Sequence, residues 1–258
     1  MAALDAEFKI RRGLSYWWDG YTRMVRWEFI DIRGIAVFAI VIQLVIGALF
    51  VLGVGLFFDD IPLRSAQYLT TGSFVVCLIT VAMVAAPQII AAQKMSQQYE
   101  YRWSLPVPRS AATLAWFTVA LAIGLPGALV ALVVGAIRYG VTYDVSAMIV
   151  PAVFAGLLTA GLIGYAMAHT LKPMVAQLTA TALLFVVLGF APINFPPENL
   201  PGWLATSNLW LPFYPTAVVI RSALLPGEAG NVAQSYLVLG AWAIGCGAAV
   251  IWAIGRRK

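Results

Sequence analysis

Six long apolar stretches, separated by short polar clusters, set the pattern of this chain. They cover roughly residues 35–58, 68–92, 111–135, 146–168, 174–192 and 234–255, and none contains Asp, Glu, Lys or Arg. A helix needs about 20 mostly apolar residues to cross a hydrocarbon core of roughly 30 Å. Each stretch meets that length, so the pattern predicts six transmembrane helices. Ahead of them, Leu14, Trp17, Trp18, Tyr21, Met24, Val25 and Ile32 recur at helical spacing. Arg12, Asp19, Arg23, Arg26 and Arg33 fall largely on another side. This predicts an amphipathic helix in the membrane interface leading into the first span. Serving as a simple anchor is its plain alternative. Residues 1–34 are too polar for a cleavable signal peptide.

Composition agrees with a membrane protein. Hydrophobic residues make up 62% of the 258 and charged ones 10%, against roughly a quarter charged in soluble domains. The charges are also sorted. Thirteen of the 16 Lys and Arg lie in the N-terminus, in 93–110, in 169–173 and at the C-terminus. By the positive-inside rule these segments are cytoplasmic, both termini included. The inner side then sums to +7 and the outer to −2, which accounts for the net +5 without a nucleic-acid partner.

Several chemistries are missing from the sequence. None of Lys9, Lys94, Lys172 and Lys258 follows a glycine, so there is no phosphate-binding loop. His169 is the one histidine, and Cys77 and Cys246 both lie in apolar runs, so neither a multi-histidine metal site nor a disulfide framework is expected. His169, at a helix end in a basic turn, reads as a solvated or capping residue. No ionisable group sits within a span. Energy for uphill transport would therefore have to enter from another chain.

Two segments between the spans carry most information. Residues 93–110 read QKMSQQYEYRWSLPVPRS. The second helix continues into them, and Leu105-Pro106-Val107-Pro108 then forces extended backbone. Ser110 is the expected N-cap of the third helix. Tyr99, Tyr101 and Trp103 beside Glu100 and Arg102 suit either a protein contact or a headgroup-bound turn. After the fifth span, 193–221 is too broken to cross and too apolar to hang free. It reads as short helices dipping into the outer leaflet, or as a loop resting on the membrane.

Together these segments resemble the type 2 ABC-transporter permeases, especially the daunorubicin-resistance-like drug-efflux branch. Pro106-Val107-Pro108-Arg109 is similar to that family's Pro-Val-Ser-Arg-like ending. Phe195-Pro196, Leu200-Pro201-Gly202-Trp203-Leu204, Leu211-Pro212-Phe213-Tyr214 and Arg221 match its external motif in order. The stretch before the Pro-Val is less acidic than is usual there, Leu211 stands where Asn is usual, and Tyr214 comes one residue early.

The resemblance implies an all-α integral membrane protein. Residues 1–34 would form the cytoplasmic N-terminus and interfacial helix. Residues 35–258 would form a six-span domain with a coupling segment at 93–110 and an external re-entrant helical pair at 193–221. It implies a permease in a bacterial plasma membrane, paired with a second copy of itself or a related permease and with two ABC ATPase subunits. ATP and Mg would be bound by those partners, and this chain would hold no cofactor. The coupling contacts would be Gln97, Gln98, Tyr99, Glu100, Tyr101, Arg102, Trp103 and Leu105, with His169 and Lys172 on the second cytoplasmic turn. A substrate path between second and fifth spans would use Phe74, Thr80, Gln177, Thr181 and Phe185, for each of which helix packing or lipid contact is the alternative. Phe195, Leu200, Pro201, Trp203, Pro212 and Tyr214 would form an external lid. The expected activity is export of an amphipathic or hydrophobic small molecule. Export of a lipid or envelope glycoconjugate, or a non-transporting sensor or immunity role, are the alternatives.

Overall fold

A computed structural model of the protein describes residues 13–57, 61–98, 101, 104–225, 227 and 230–255. Among these, eight helices carry the fold. They are α1 (Leu14–Phe57), α2 (Leu63–Met95), α3 (Arg109–Tyr139), α4 (Ile149–Thr170), α5 (Pro173–Phe190), α6 (Gly202–Asn208), α7 (Phe213–Leu224) and α8 (Val232–Gly255). Six of them, all but α6 and α7, are long and apolar enough to cross a membrane. The expected re-entrant pair is α6 and α7.

The core forms around α2. Its residues 68–79 are all buried, and it touches α1, α3, α4, α5 and α7. Lipid is as apolar as leucine, so burial alone cannot gather helices in a membrane. Small residues that let backbones approach do much of that work. Gly124 and Gly135 of α3 lie against Cys77, Leu78 and Thr70 of α2, and Gly161 of α4 lies against Phe117. On the flank, Gly47 of α1 meets the Gly127 backbone of α3, and Gly127 in turn meets the Gln43 carbonyl. The helices α1, α5 and α8 sit at the periphery, with most of their apolar surface turned outward.

The interfacial helix and the first span form one unbroken helix rather than two elements. It is nevertheless bent. Tyr21 Oη is hydrogen-bonded to Thr118 Oγ1 at 2.8 Å, and Gly47 touches Gly127. The helical path from Tyr21 to Gly47 is about 39 Å, and that from Thr118 to Gly127 is about 14 Å. One tyrosine bond and one backbone contact cannot absorb a difference of roughly 25 Å. The N-terminal part of α1 therefore runs across the start of α3 and turns before joining it. Gly34 is the one glycine in that interval, where a helix gives most readily.

The start of α3 departs from expectation. Its N-cap is Pro108 with no side-chain bond, and Ser110 Oγ instead accepts a hydrogen bond from Trp17 Nε1 at 3.0 Å. Two prolines preset the entry, so a capping hydroxyl is not required.

Candidate functional site

The coupling segment is built against α1. Beyond Met95 the chain caps on Ser96, and Gln97 takes a left-handed conformation with φ 60°. Gln97 and Gln98 are exposed, Leu105 is half-buried, and the exposed Tyr101 packs its ring 6.2 Å from that of Trp27. Tyr99, Glu100, Arg102 and Trp103 lie outside the described residues. The Tyr16 hydroxyl donates to the Pro106 carbonyl, and the flank of Gly20 rests on Val107 and Pro108. A side chain at Gly20 would begin 3.0 Å from the proline ring. Glu28, buried to 2% exposure, lies one residue beyond Trp27. The N-terminal stretch thus packs on Tyr101 and residues 106–110, a contact that its amphipathic pattern could not distinguish from an anchor.

The turn between α4 and α5 corrects one expectation. His169 is buried at 4% exposure, so it is neither solvated nor available at the surface. Its ring stacks on Tyr165 at 5.7 Å, and Nδ1 donates to the Tyr165 carbonyl at 2.7 Å. The cap on α4 is Lys94 of α2, whose ammonium reaches the Ala168 carbonyl. A cation at a helix C-terminus satisfies a carbonyl and opposes the dipole. Lys172 is exposed. At this end of the molecule Gln97, Gln98, Tyr101 and Lys172 are exposed, whereas His169 is buried.

At the outer end, the residue that sequence reasoning undervalued is Arg221. It is 1% exposed. Its Nε donates to Thr71 Oγ1 at 3.1 Å, its Nη2 donates to the Ile193 carbonyl at 2.7 Å, and its guanidinium lies 3.8 Å from the Tyr68 ring centroid. One cation thereby ties α7, the turn after α5 and the outer half of α2. Gly72 leaves room for that turn, because a side chain there would strike Ile193 and Asn194. Arg64 extends the chain of contacts, reaching Glu198 at 3.0 Å and lying 5.9 Å from the Tyr68 ring. The Glu198 carboxyl is held below its usual range, chiefly by its own backbone N–H; burial opposes this, and Arg64 adds to the lowering. Asn208, also buried, donates to the Phe190 and Leu204 carbonyls at 3.0 and 2.9 Å and so closes the end of α5.

The external segment packs in part. Pro212 and Tyr214 are buried, and Phe195 and Leu200 are half-buried. Pro201 is exposed, as are Trp203 at 72% and Trp210 at 64%. Its large apolar groups are buried in α7, whereas Trp203 of α6 and Trp210 beyond it stay exposed. Trp210 is still anchored through its carbonyl, which accepts from Trp242 Nε1 at 2.8 Å.

The five path candidates do not converge. Phe74 lies in the core with Val187 and Ile193, and Thr80 Oγ1 is bonded to the Val76 carbonyl at 2.7 Å. Gln177, Thr181 and Phe185 stand four apart on one side of α5, where Phe185 is 68% exposed. Gln177 and Thr181 are half-buried and Phe185 is exposed, while Phe74 is closed within the core.

Residues 61–252 match the model of a family described as ABC-2 family transporter protein. The match runs from the start of α2 through the coupling segment and the re-entrant pair to the end of α8. No curated protein matches the chain.

Proposed function

Since the chain belongs to the ABC-2 transporter family, a family of membrane permease subunits without an ATPase domain of their own, we propose that it drives export of an amphipathic or hydrophobic small molecule from a bacterial cell. Two permeases, two copies of this chain or this chain with a relative, assemble with two ABC ATPase subunits that bind ATP and Mg. Both termini face the cytoplasm. The carrying observation is the match across 61–252, which takes in both the cytoplasmic contact segment and the external pair.

The mechanism follows from the contacts. ATPase closure presses on Gln97, Gln98, Tyr101 and the neighbouring 99–103 residues, and on Lys172. The brace through Tyr16 and Trp17 makes α1 share that load. Lys94 links the end of α2 to the end of α4, so the second turn moves with the first. The substrate class is supported by one side of α5, where half-buried Gln177 and Thr181 and exposed Phe185 offer amide, hydroxyl and aromatic groups and no ionisable one. Such a surface favours a solute with a large apolar body and a few polar groups.

The test is co-expression with a candidate ABC ATPase subunit, then purification and reconstitution. ATP hydrolysis should require both chains, and a fluorescent amphipathic dye should accumulate in inverted vesicles only with ATP. Hydrolysis by this chain alone would overturn the division of roles. Movement of a labelled phospholipid in place of the dye would replace the substrate class with a lipid.

A further inference from the structure

The second span is irregular at mid-membrane, and its sequence explains why. Pro87 has no N–H, and in a regular α-helix its ring would collide with the carbonyl of Met83. One turn earlier the Thr80 hydroxyl takes up the Val76 carbonyl at 2.7 Å, a bond that bends helices. Between these points the backbone is wound as a π-helix, Thr80–Ala85. Such turns are rare inside α-helices and concentrate at functional sites. The Met83 carbonyl is turned onto Gly164 of α4, where an added Cβ would sit 2.6 Å from the oxygen. Only a bare backbone leaves that carbonyl free to shift.

The packing changes at the same point. The outer half of α2, Leu63–Ile79, packs mainly on α1, α3 and α7, and Arg221 holds it. The inner half, Ala86–Met95, packs on α4 and α5 and carries the coupling segment at its end. One helix is thus shared between two packing groups, with the π turn at the boundary.

We propose that this π turn is the pivot of the second span. The inner half moves with α4 and α5 when the coupling segment is pressed, while the outer half stays with α1, α3 and α7. A π turn holds one residue more than the α-helical path requires. Passing that residue along the helix rotates one half against the other without breaking the rod. The proposal rests on the coupling role argued above, and it adds where α2 yields.

The experiment uses the full chain in lipid nanodiscs, with Cys77→Ala and Cys246→Ser as background. Spin labels on cysteines replacing the exposed Leu63 and Met95 span the π turn, and labels replacing the exposed Val150 and Thr170 span α4 as a control. The expected result is two distance populations across the π turn, one across α4, and collapse to one across the π turn in Pro87→Ala. If Pro87→Ala does not fold, Thr80→Val, which releases the Val76 carbonyl, should redistribute the same two populations. A single 63–95 population that neither variant alters overturns the pivot. With a co-purified ATPase, ATP and vanadate should shift weight between the two populations, and unchanged weights would also overturn it. Failure of any ATPase to co-purify would sink the permease reading and leave the measurement on the isolated chain standing.

Discussion

Arg221 carries a charge into a site with almost no water, and three partners repay its desolvation. Hydrogen bonds to a charged group contribute roughly 1.5–3 kcal/mol each, and a desolvated cation–π contact about 2 kcal/mol. Arg221→Ala should therefore cost about 2–4 kcal/mol after partial relaxation, read as a lower midpoint for detergent unfolding. It should also speed labelling of a cysteine at Ser207. Tyr68→Phe should stay close to the parent and Tyr68→Leu should not, because the ring face is what Arg221 uses. Equal loss in both Tyr68 variants would refute the stacking argument. From sequence, Arg221 was a basic residue expected on the outer side and the last residue of the external motif. Nothing local marked it as buried, since Tyr68, Thr71 and Ile193 are remote along the chain. The exposed pair Arg64–Glu198 makes a weaker, pH-dependent claim. The Glu198 carboxyl is held low in the folded state, so the pair's contribution is present above the unfolded carboxyl range and fades as pH falls through the folded value. Glu198→Gln should therefore be slightly less stable than the parent at pH 7, and the difference should vanish in acid and shrink in high salt. A difference that does not shrink at all as the medium is made acid would mean that the side chain acts by shape.

Among the elements, the six spans were legible because each is an uninterrupted apolar run, and a bilayer leaves the backbone few other choices. The junctions were less legible. The amphipathic stretch and the first span read as two elements, whereas α1 is continuous and bends over α3. Period and composition describe a face, and they do not say what covers it. Here Pro106, Pro108 and Ser110 cover it. If α1 braces the coupling segment, losing its polar grips should loosen that segment and spare the spans. Trp17→Phe with Tyr21→Phe removes two hydrogen bonds, each worth about 1 kcal/mol. Hydrogen exchange in residues 104–110 should rise about tenfold or more, with α2 and α4 unchanged. Unaltered exchange would reduce α1 to an anchor. The α1–α3 crossing invites a second change, Gly127→Val. A Cβ there would lie 3.0 Å from the Gln43 Cβ and closer still to its carbonyl. The helices would have to separate, so the yield of folded protein should fall sharply, while Gly189→Ala, with open space around it, should be neutral.

For the whole molecule, fold class followed from the hydrophobic pattern and family from the order of two interrupted segments, whereas the path residues could not be read individually. Phe74 and Phe185 are alike in type, yet one is core and the other faces outward. Sequence position within a span does not fix rotation about its axis. Orientation is different, because it depends on charge summed over loops. By the positive-inside rule, the thirteen-to-three division of Lys and Arg predicts the termini, 93–110 and 169–173 inside, and 193–221 outside. The structure offers labelling sites at both faces. Ser207 on α6 and Ser96 after α2 are exposed, and neither contributes a side-chain bond between elements. Ser207 donates only to Trp203 within its own helix, and Ser96 only to Ala92 and Gln93. Cysteines there should leave the fold intact. In a background lacking Cys77 and Cys246, Ser207→Cys should react with an impermeant maleimide added to whole cells. Ser96→Cys should react only after the membrane is opened. The inverse pattern would turn the molecule over, moving the coupling segment away from any cytoplasmic ATPase. Reaction of both from outside would break the alternation of spans between Ser96 and Ser207. Since α3, α4 and α5 lie between them, an odd number of crossings is required for the two sites to differ, and these two labels test that parity directly.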